Sequence, residues 1–503
     1  MNPSSDRDRV SRRRCWLRRF LWTTLIVGTF ISLLYAIENW RGARAWDQAK
    51  RDFEASGGTL DWGKLFPGKL FPDEQNFGAI PLLEGITTPE KFGDHSNTVR
   101  AALAGPEFRQ SKEIREAMER SHYTTCFETG QPIDYEALRE AFGERFVMPE
   151  EEPDPARAIL HALEAEIGWV KDLDTATKRP MAQLLPPGGT YLDPDQPWHL
   201  GQPHIGVSRN LVVWLGRRAT AAIGCGDTEV ARKSLTSAFR LAHAMGTEPV
   251  LICQLVLNTQ LSMLQTPLWE GLHRKLWDEK ALAWLEYELN HFDLAKTFRA
   301  ITATEIAWTS SVLDFFKSCS ATEMTQLMGL QAQDNKGLAP SERALLMQLM
   351  PNGWFDRTKA SSLMRLKSLQ DALVTGDFSL AKAATEKAAR HQTLIESWIP
   401  LATFDQAIRS VAWIQTRLQL TRLAIGLERH SLKHGRYPDK LDALASDFFS
   451  SLPADPMGDA WRYTCHASGN VYELYSIGWN LIDDGGQPAT LKGSDHGDWV
   501  WVR

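Results

Sequence analysis

Hydrophobic and polar positions divide the chain into four stretches of different pattern. The first is a run without charge, Phe20 to Ile37, reading FLWTTLIVGTFISLLYAI. As a helix these 18 residues rise about 27 Å, close to the hydrocarbon thickness of a bilayer. Ten of them are Leu, Ile, Val or Phe, which favour insertion by roughly 3–6 kcal/mol, partly offset by Thr, Ser and Gly. Trp16, Trp22, Tyr35 and Trp40 stand near the ends, where amphipathic rings prefer the membrane interface.

The second stretch, 38–95, starts as a continuation of this helix, with Trp40, Ala43, Trp46 or Asp47, and Lys50 on successive turns. Gly57-Gly58 ends it. A Pro/Gly-rich segment follows and is expected to lie on the body through Trp62, Phe66, Leu70, Phe71 and Phe77; FPDEQNFGAIPLL (71–83) reads as a lid over a helical core, with a recognition loop as the alternative.

The third stretch, 96–416, has apolar residues at helical spacing. The clear amphipathic segments are 155–173, 209–224, 227–245, 249–272, 279–289, 292–316, 341–350, 361–375 and 379–399, with another from 403 onward. Two breaks share one design. In Gly226-Asp227-x3-Ala231 and Gly376-Asp377-x3-Ala381 a glycine ends one helix, an aspartate caps the next, and a small alanine lets the pair pack closely. These turns resemble those of helical-hairpin repeats, but no repeat period is visible, so the stretch reads as a helical array or bundle. Residues 180–206 interrupt it with prolines and Gly188-Gly189. His199 and His204 lie there behind Asp193 and Asp195, a spacing compatible with metal ligation, though such residues are more often satisfied by backbone or water.

The fourth stretch, 417–503, changes period. Leu418–His434 is a helix ended by Gly435. A short helix carries Leu441 and Leu444, and LPADPMG (452–458) is a tight turn. Trp461–His466 and Val471–Ile477 alternate as a hairpin, and Asp498–Val502 supplies a third strand.

Charge orients the chain. Residues 1–19 hold seven arginines against Asp6 and Asp8, so the net charge of −6 conceals a basic tail on an acidic body. The denser positive flank stays cytoplasmic and the C-terminal body is translocated. Ala43-Arg44-Ala45 has small residues at a signal-cleavage spacing, but it lies eight residues past the apolar run with an arginine inside it; the run is read as an uncleaved anchor. An acidic body without a basic stripe argues against nucleic acid. Five dispersed cysteines beyond the anchor are not a disulfide framework. His430 and His434 are four apart on a helix but lack a third ligand, and His122 with Cys126 fares no better. There is no P-loop, dinucleotide fingerprint, nucleophile elbow or zinc cluster.

The order of signals in the last stretch resembles a known family. Gly435, Tyr437-Pro438, Leu441 and Leu444, Leu452-Pro453, Asp455-Pro456, Gly458, Tyr463, Tyr475-Ser476, Gly478, Gly485-Gly486, Asp498 and Trp501 follow the order found in the C-terminal domain of type II secretion major pseudopilins. The whole chain also looks like bacterial families of single-pass anchored proteins bearing such a tail. The start departs from the family: no Gly-Phe-x-x-x-Glu precedes the span, and some 380 residues separate anchor from module. The module therefore reads as a reused fold. The resemblance implies a calcium site in the Asp/Gly loop, here offered by Ser476, Asn480, Asp483, Asp484, Asp495 and Asp498, although Trp479-Asn480-Leu481-Ile482 stands where the family has Asp-Gly. Calcium takes six to eight oxygens. The competing reading is an acidic surface turn capped by its own amides.

The expected fold is mainly α: an N-terminal transmembrane helix, a helical array or bundle, and a small C-terminal α+β module with a short antiparallel sheet. The expected segments are a basic cytoplasmic tail (1–19), the transmembrane helix (20–37), a helical stalk with the Pro/Gly-rich segment (38–95), a helical domain (96–416) and a pseudopilin-like module (417–503). The pattern favours an extracytoplasmic scaffold, single-pass in the cytoplasmic (inner) membrane, with protein partners in the envelope. The alternative is an envelope hydrolase using carboxylates of the helical domain under the 180–206 loop.

Overall fold

The computed structural model describes residues 3–65, 71–80, 83, 112–143, 146–149, 151–165, 170–184, 203–329, 338–390, 393–399, 404–466, 471–489 and 496–502, with backbone alone for 3–15, 203 and 327–329. The chain is mainly helical with one small sheet. The helices used below are α1 (Pro3–Ala55), α2 (Cys126–Thr129), α3 (Tyr135–Gly143), α4 (Pro155–Ala165), α5 (Pro203–Gly224), α6 (Thr228–Gly246), α7 (Leu251–His273), α8 (Glu279–Asn290), α9 (Leu294–Ser318), α10 (Ala321–Gly329), α11 (Pro340–Gln348), α12 (Asn352–Ala372), α13 (Phe378–Ala389), α14 (Leu394–Trp398) and α15 (Phe404–His434). The strands are β1 (Arg462–Cys465), β2 (Tyr472–Ser476) and β3 (Trp499–Trp501). Two compact units result, one from residues 1–59, 306–367 and 389–402, the other from 60–305, 368–388 and 403–503.

In the smaller unit α1 is one helix, long and apolar enough to cross a membrane, and none of its 18-residue apolar window is buried. Beyond that window it becomes a packing surface. Gly42 and Gly353 meet so closely that a Cβ on either would collide with the opposing backbone. Glu38 accepts from Trp354 Nε1 at 3.1 Å and pairs with Arg41 at 3.0 Å and Arg357 at 3.2 Å. Asn39 Oδ1 accepts the Gly353 amide at 2.9 Å, so the N-terminus of α12 is capped by α1. That explains why α12 begins nine residues before its sequence periodicity does: its cap lies over 300 residues away in sequence. A second departure has a local cause. The stretch read as one helix over 379–399 is two, because Thr393 and Glu396 form a capping box that starts α14 afresh. Val312, Leu313, Phe316, Met347, Phe355 and Ile395 form this unit's core.

In the larger unit α7 is the hub, packed by α2, α5, α6 and α15. It is buried nearly all round, yet it carries polar residues at intervals, and each reaches a partner. Gln254 donates to Asn258 (2.8 Å), Asn258 to Ser410 of α15 (3.0 Å), and Gln260 to Ser208 of α5 (3.0 Å), while Gln265 accepts from Thr421 of α15 (3.1 Å). Glu270 accepts from Tyr135 of α3 at 3.3 Å and pairs with Arg274. Buried hydrogen bonds of this kind fix which faces meet, since another pairing would leave their donors unbonded.

Both glycine–aspartate breaks form as the pattern expects. Gly226 and Gly376 are left-handed (φ +80° and +75°), Asp227 accepts the Val230 amide at 3.0 Å, Asp377 accepts the Ser379 amide at 2.8 Å, and Ala231 and Ala381 are fully buried. The 71–83 lid is pinned where it is described: Phe77 N donates to Met181 O (2.7 Å), the Asn76 side chain bonds the Gln183 backbone in both directions (3.2 and 2.8 Å), and Phe77 is fully buried.

The sheet has order β1-β2-β3, antiparallel throughout, with Tyr463 opposite Leu474 and Leu474 opposite Trp501. Its inner face joins the helical core, which runs continuously from Phe239 and Trp269 to Tyr437, Leu474 and Trp499. Main-chain contacts reinforce the join. Trp269 Nε1 donates to Val502 O (2.7 Å), and the Phe378 amide at the second break donates to Pro456 O (2.7 Å) in the Asp-Pro turn. A Cβ on Gly458, itself at φ +80°, would stand 2.6 Å from Asp377 Oδ2.

Candidate functional site

The C-terminal loop is fixed at both ends. Gly485 and Gly486 are consecutive left-handed residues (φ +72° and +79°), a conformation glycine adopts freely, and they turn their amides toward acids. Asp498 Oδ2 accepts from Gly486 N at 2.7 Å and Oδ1 from Asp484 N at 3.2 Å. Asp484 Oδ2 accepts from Asn480 Nδ2 at 2.7 Å and Gly497 N at 2.8 Å. The fold thus brings Asn480, Asp484 and Asp498 together. Asp498 is fully buried, and burial, with Asp483 and Asp484 nearby, raises its carboxyl above the usual range.

Two expected ligands face other partners. Asp483 accepts from Arg462 of β1 at 2.8 Å and from Tyr475 at 3.2 Å, and the arginine bond holds its carboxyl low. Ser476 Oγ donates to Asp455 Oδ1 at 2.9 Å. Asp495 lies outside the described residues. Carboxylate and amide oxygens around the buried Asp498 fit a hard cation; Asp484, Asp498 and Asn480, whose Oδ1 accepts the Ile482 amide at 3.1 Å, are the side chains that would hold it. Without a cation the same oxygens are satisfied by loop amides. Asp455 opens the Asp-Pro turn and also accepts the Met457 amide at 2.9 Å; burial pushes its carboxyl up to about 6.

The fold assembles a second cluster at the N-terminus of α7. His204 sits in the first turn of α5, with Nε2 2.8 and 3.0 Å from the two oxygens of Glu248. Cys253 Sγ, in the first turn of α7, lies 3.4 Å from Glu248 Oε2. All three are buried. Burial, together with the neighbouring Glu248, raises the Cys253 thiol well above its ordinary value, so it donates as a thiol. Imidazole, thiolate and carboxylate are a zinc-type donor set, but a closed structural site needs four ligands, and no fourth His, Cys, Asp or Glu joins them among the described residues. As it stands the cluster fastens α5 to the turn before α7. Sequence inspection singled out His204 but paired it with His199, Asp193 and Asp195, which lie outside the described residues. Nothing local marked Glu248 or Cys253, because the three converge only through helix packing.

Glu305 of α9 meets the same end of α7, accepting the Leu251 amide at 3.3 Å. Burial pushes its carboxyl up to about 7. The remaining histidine candidates have plain roles. His434 pairs with Asp447 at 3.2 Å and His430 Nδ1 lies 2.9 Å from Arg436 O. Cys126, Cys225, Cys253, Cys319 and Cys465 are free thiols.

A shallow concavity is lined by Arg120, Asp134, Glu136, Arg139 and Glu140, with Arg120 and Glu140 closed as an ion pair at 2.8 Å. Comparison with known proteins finds no matching family, no matching curated protein and no matching solved structure.

The buried Glu305 sets a pH dependence. Its carboxyl holds a proton more tightly folded (about 7) than at its model-peptide value of 4.5. The folded state therefore carries the extra proton in that window, and stability from this group falls as pH rises through it. In Glu305→Gln, which retains an oxygen acceptor for Leu251, thermal melts should show a shallower loss of midpoint between about pH 5 and about pH 7.5 than the parent chain. Parallel slopes would contradict the assignment.

Proposed function

We propose that this chain is a membrane-anchored extracytoplasmic scaffold: Phe20–Ile37 holds it in the cytoplasmic membrane, the basic tail stays inside, and the body engages protein partners of the envelope. The unburied apolar window of α1 and the arginines before it support the placement.

The observation that carries the scaffold reading concerns acids. A carboxylate hydrolase needs acids facing open space with unspent hydrogen-bonding capacity. The buried acids among the described residues are instead engaged in fastening. Glu38 binds Arg41 and Arg357, Glu248 binds His204, Glu270 binds Arg274, and Glu288 binds Arg240 at 3.3 Å. Asp356 binds Lys317 and Lys359, Glu396 binds Arg365, and Glu428 accepts from Tyr437 at 2.9 Å. Glu305, Asp455 and Asp498 accept backbone amides. Within each unit these bonds hold the packed elements in one arrangement. Tyr287, Leu432, Val471 and Ile482 are exposed and give four well-separated positions from which partner contact can be probed.

A photoreactive amino acid at position 287, 432, 471 or 482 should yield discrete adducts with envelope proteins in intact cells. Failure at every position would argue against a scaffold.

In this reading calcium, where bound, would be held by Asn480, Asp484 and Asp498, with loop carbonyls completing its oxygen shell. A ligand that binds only the folded state stabilises it by about 2.7 kcal/mol at a hundredfold excess over Kd. Calcium added after chelation to the full chain in detergent micelles should raise its thermal midpoint, magnesium should not, and Asp484→Ala should remove the calcium-induced shift. Equal midpoints with and without calcium would leave the loop as a turn closed by its own amides.

A further inference from the structure

Helix α11 in the smaller unit is apolar on two sides. Ala344 and Met347 face that unit's core, which is ordinary for a packed helix. Leu345, Leu346 and Leu349 point the other way and are 58%, 40% and 62% exposed. From Ala344 to Pro351 the sequence ALLMQLMP carries no charge. Trp354, at the start of α12, adds a ring that is 38% exposed while its Nε1 donates to Glu38. Scattered single exposures need no explanation, but a contiguous uncharged set of this kind does.

The anchor helix supplies a ruler for where this set lies. The Tyr35 hydroxyl donates to the carbonyl of Leu349, the residue that caps the C-terminal end of α11. Tyr35 lies two residues before the end of the apolar run at Ile37, about 3 Å inside it. Residue 349 is therefore held at the level where the span leaves the hydrocarbon. Leu345 is one turn away on the same helix. The next contacts climb α1 in order: Gly353 against Asn39 and Gly42, then Lys359 Nζ 4.6 Å from the Trp46 ring. So α12 runs alongside α1 away from the span, and the exposed leucines are at its membrane end. Tyrosine, tryptophan and leucine around an uncharged helical face have the composition of an interfacial helix.

We propose that α11 is a second, monotopic membrane contact: its Leu345/Leu346/Leu349 face lies in the headgroup–acyl boundary beside the anchor, so that this unit docks on the lipid surface. The proposal rests on the anchor reading of Phe20–Ile37. The occupant is lipid because the face is continuous with a span that has the same requirement. Contact with the bilayer at two points would fix the tilt of the unit against the membrane, where one helix alone would leave it free to swing.

The test uses the full chain in phosphatidylcholine vesicles, with dansylalanine replacing one residue at a time at Phe30, Leu345, Leu349 or Met364, and lipids brominated along their acyl chains as quencher. Met364 is the internal control: it is 60% exposed, and ten residues beyond Trp354 on α12 places it about 15 Å farther along. The proposal expects quenching at 345 and 349 within about twofold of that at 30, and none at 364. Quenching at 30 with none at 345 and 349 overturns it and leaves the anchor intact. No quenching at 30 overturns the anchor and the proposal together. Emission at 345 that is blue-shifted but insensitive to bromolipid means that protein, a partner or a second copy, covers the face, and this also overturns lipid docking.

Discussion

A guanidinium buried without partners would cost several kcal/mol, and Arg417 of α15 is 3% exposed. Its position is tolerable because two distant parts of the chain converge on it. Nη1 donates to Phe127 O of α2 and Val500 O of β3, each at 3.2 Å, and Glu128 lies 3.9 Å from Nη2. The Phe127 and Trp413 rings approach it at 5.1 and 4.5 Å. Burial lowers its pKa to about 10, which still leaves it charged at neutral pH. Withdrawing either the sheet or the α2 turn would strand that charge, so the helical array and the C-terminal strands hold one another in place. Trp413 against Trp499 (5.2 Å, perpendicular) and the Trp269–Val502 bond act across the same seam.

The same economy runs through the larger unit. Apolar burial supplies most of the cohesion, and polar side chains on α7 and acids throughout select one arrangement among several of similar apolar area. A unit built this way presents a fixed outer surface, and its buried acids are engaged with cations, hydroxyls or backbone amides. That is the physical content of the scaffold reading. In the smaller unit α1 leaves its apolar window and at once becomes a packing partner, through Asn39 and the Gly42–Gly353 approach.

Local signals in the sequence were legible, and remote ones were not. The apolar run, the left-handed glycines with their capping aspartates, and the three alternating strands are encoded within a few residues of where they act, and each forms where the pattern places it. The start of α12 was hidden because its cap is Asn39. Arg417 looked like any arginine on a helix until the chain placed carbonyls from residues 127 and 500 around it. In the Asp/Gly loop the sequence offered six oxygen donors of equal standing. Folding separates them, because Arg462 on β1 claims Asp483 and the Asp-Pro turn claims Ser476, while Asn480, Asp484 and Asp498 converge.

The central claim is that the C-terminal strands and the helical array of the larger unit are one cooperative structure tied at Arg417. Native-state hydrogen exchange across a denaturant series, on the full chain in micelles, tests it most directly. The account predicts that the amides of β2 and β3 and those in the middle of α7 and α15 converge on a single opening free energy. Exchange of β2 and β3 at low denaturant, with α7 still protected, would contradict it.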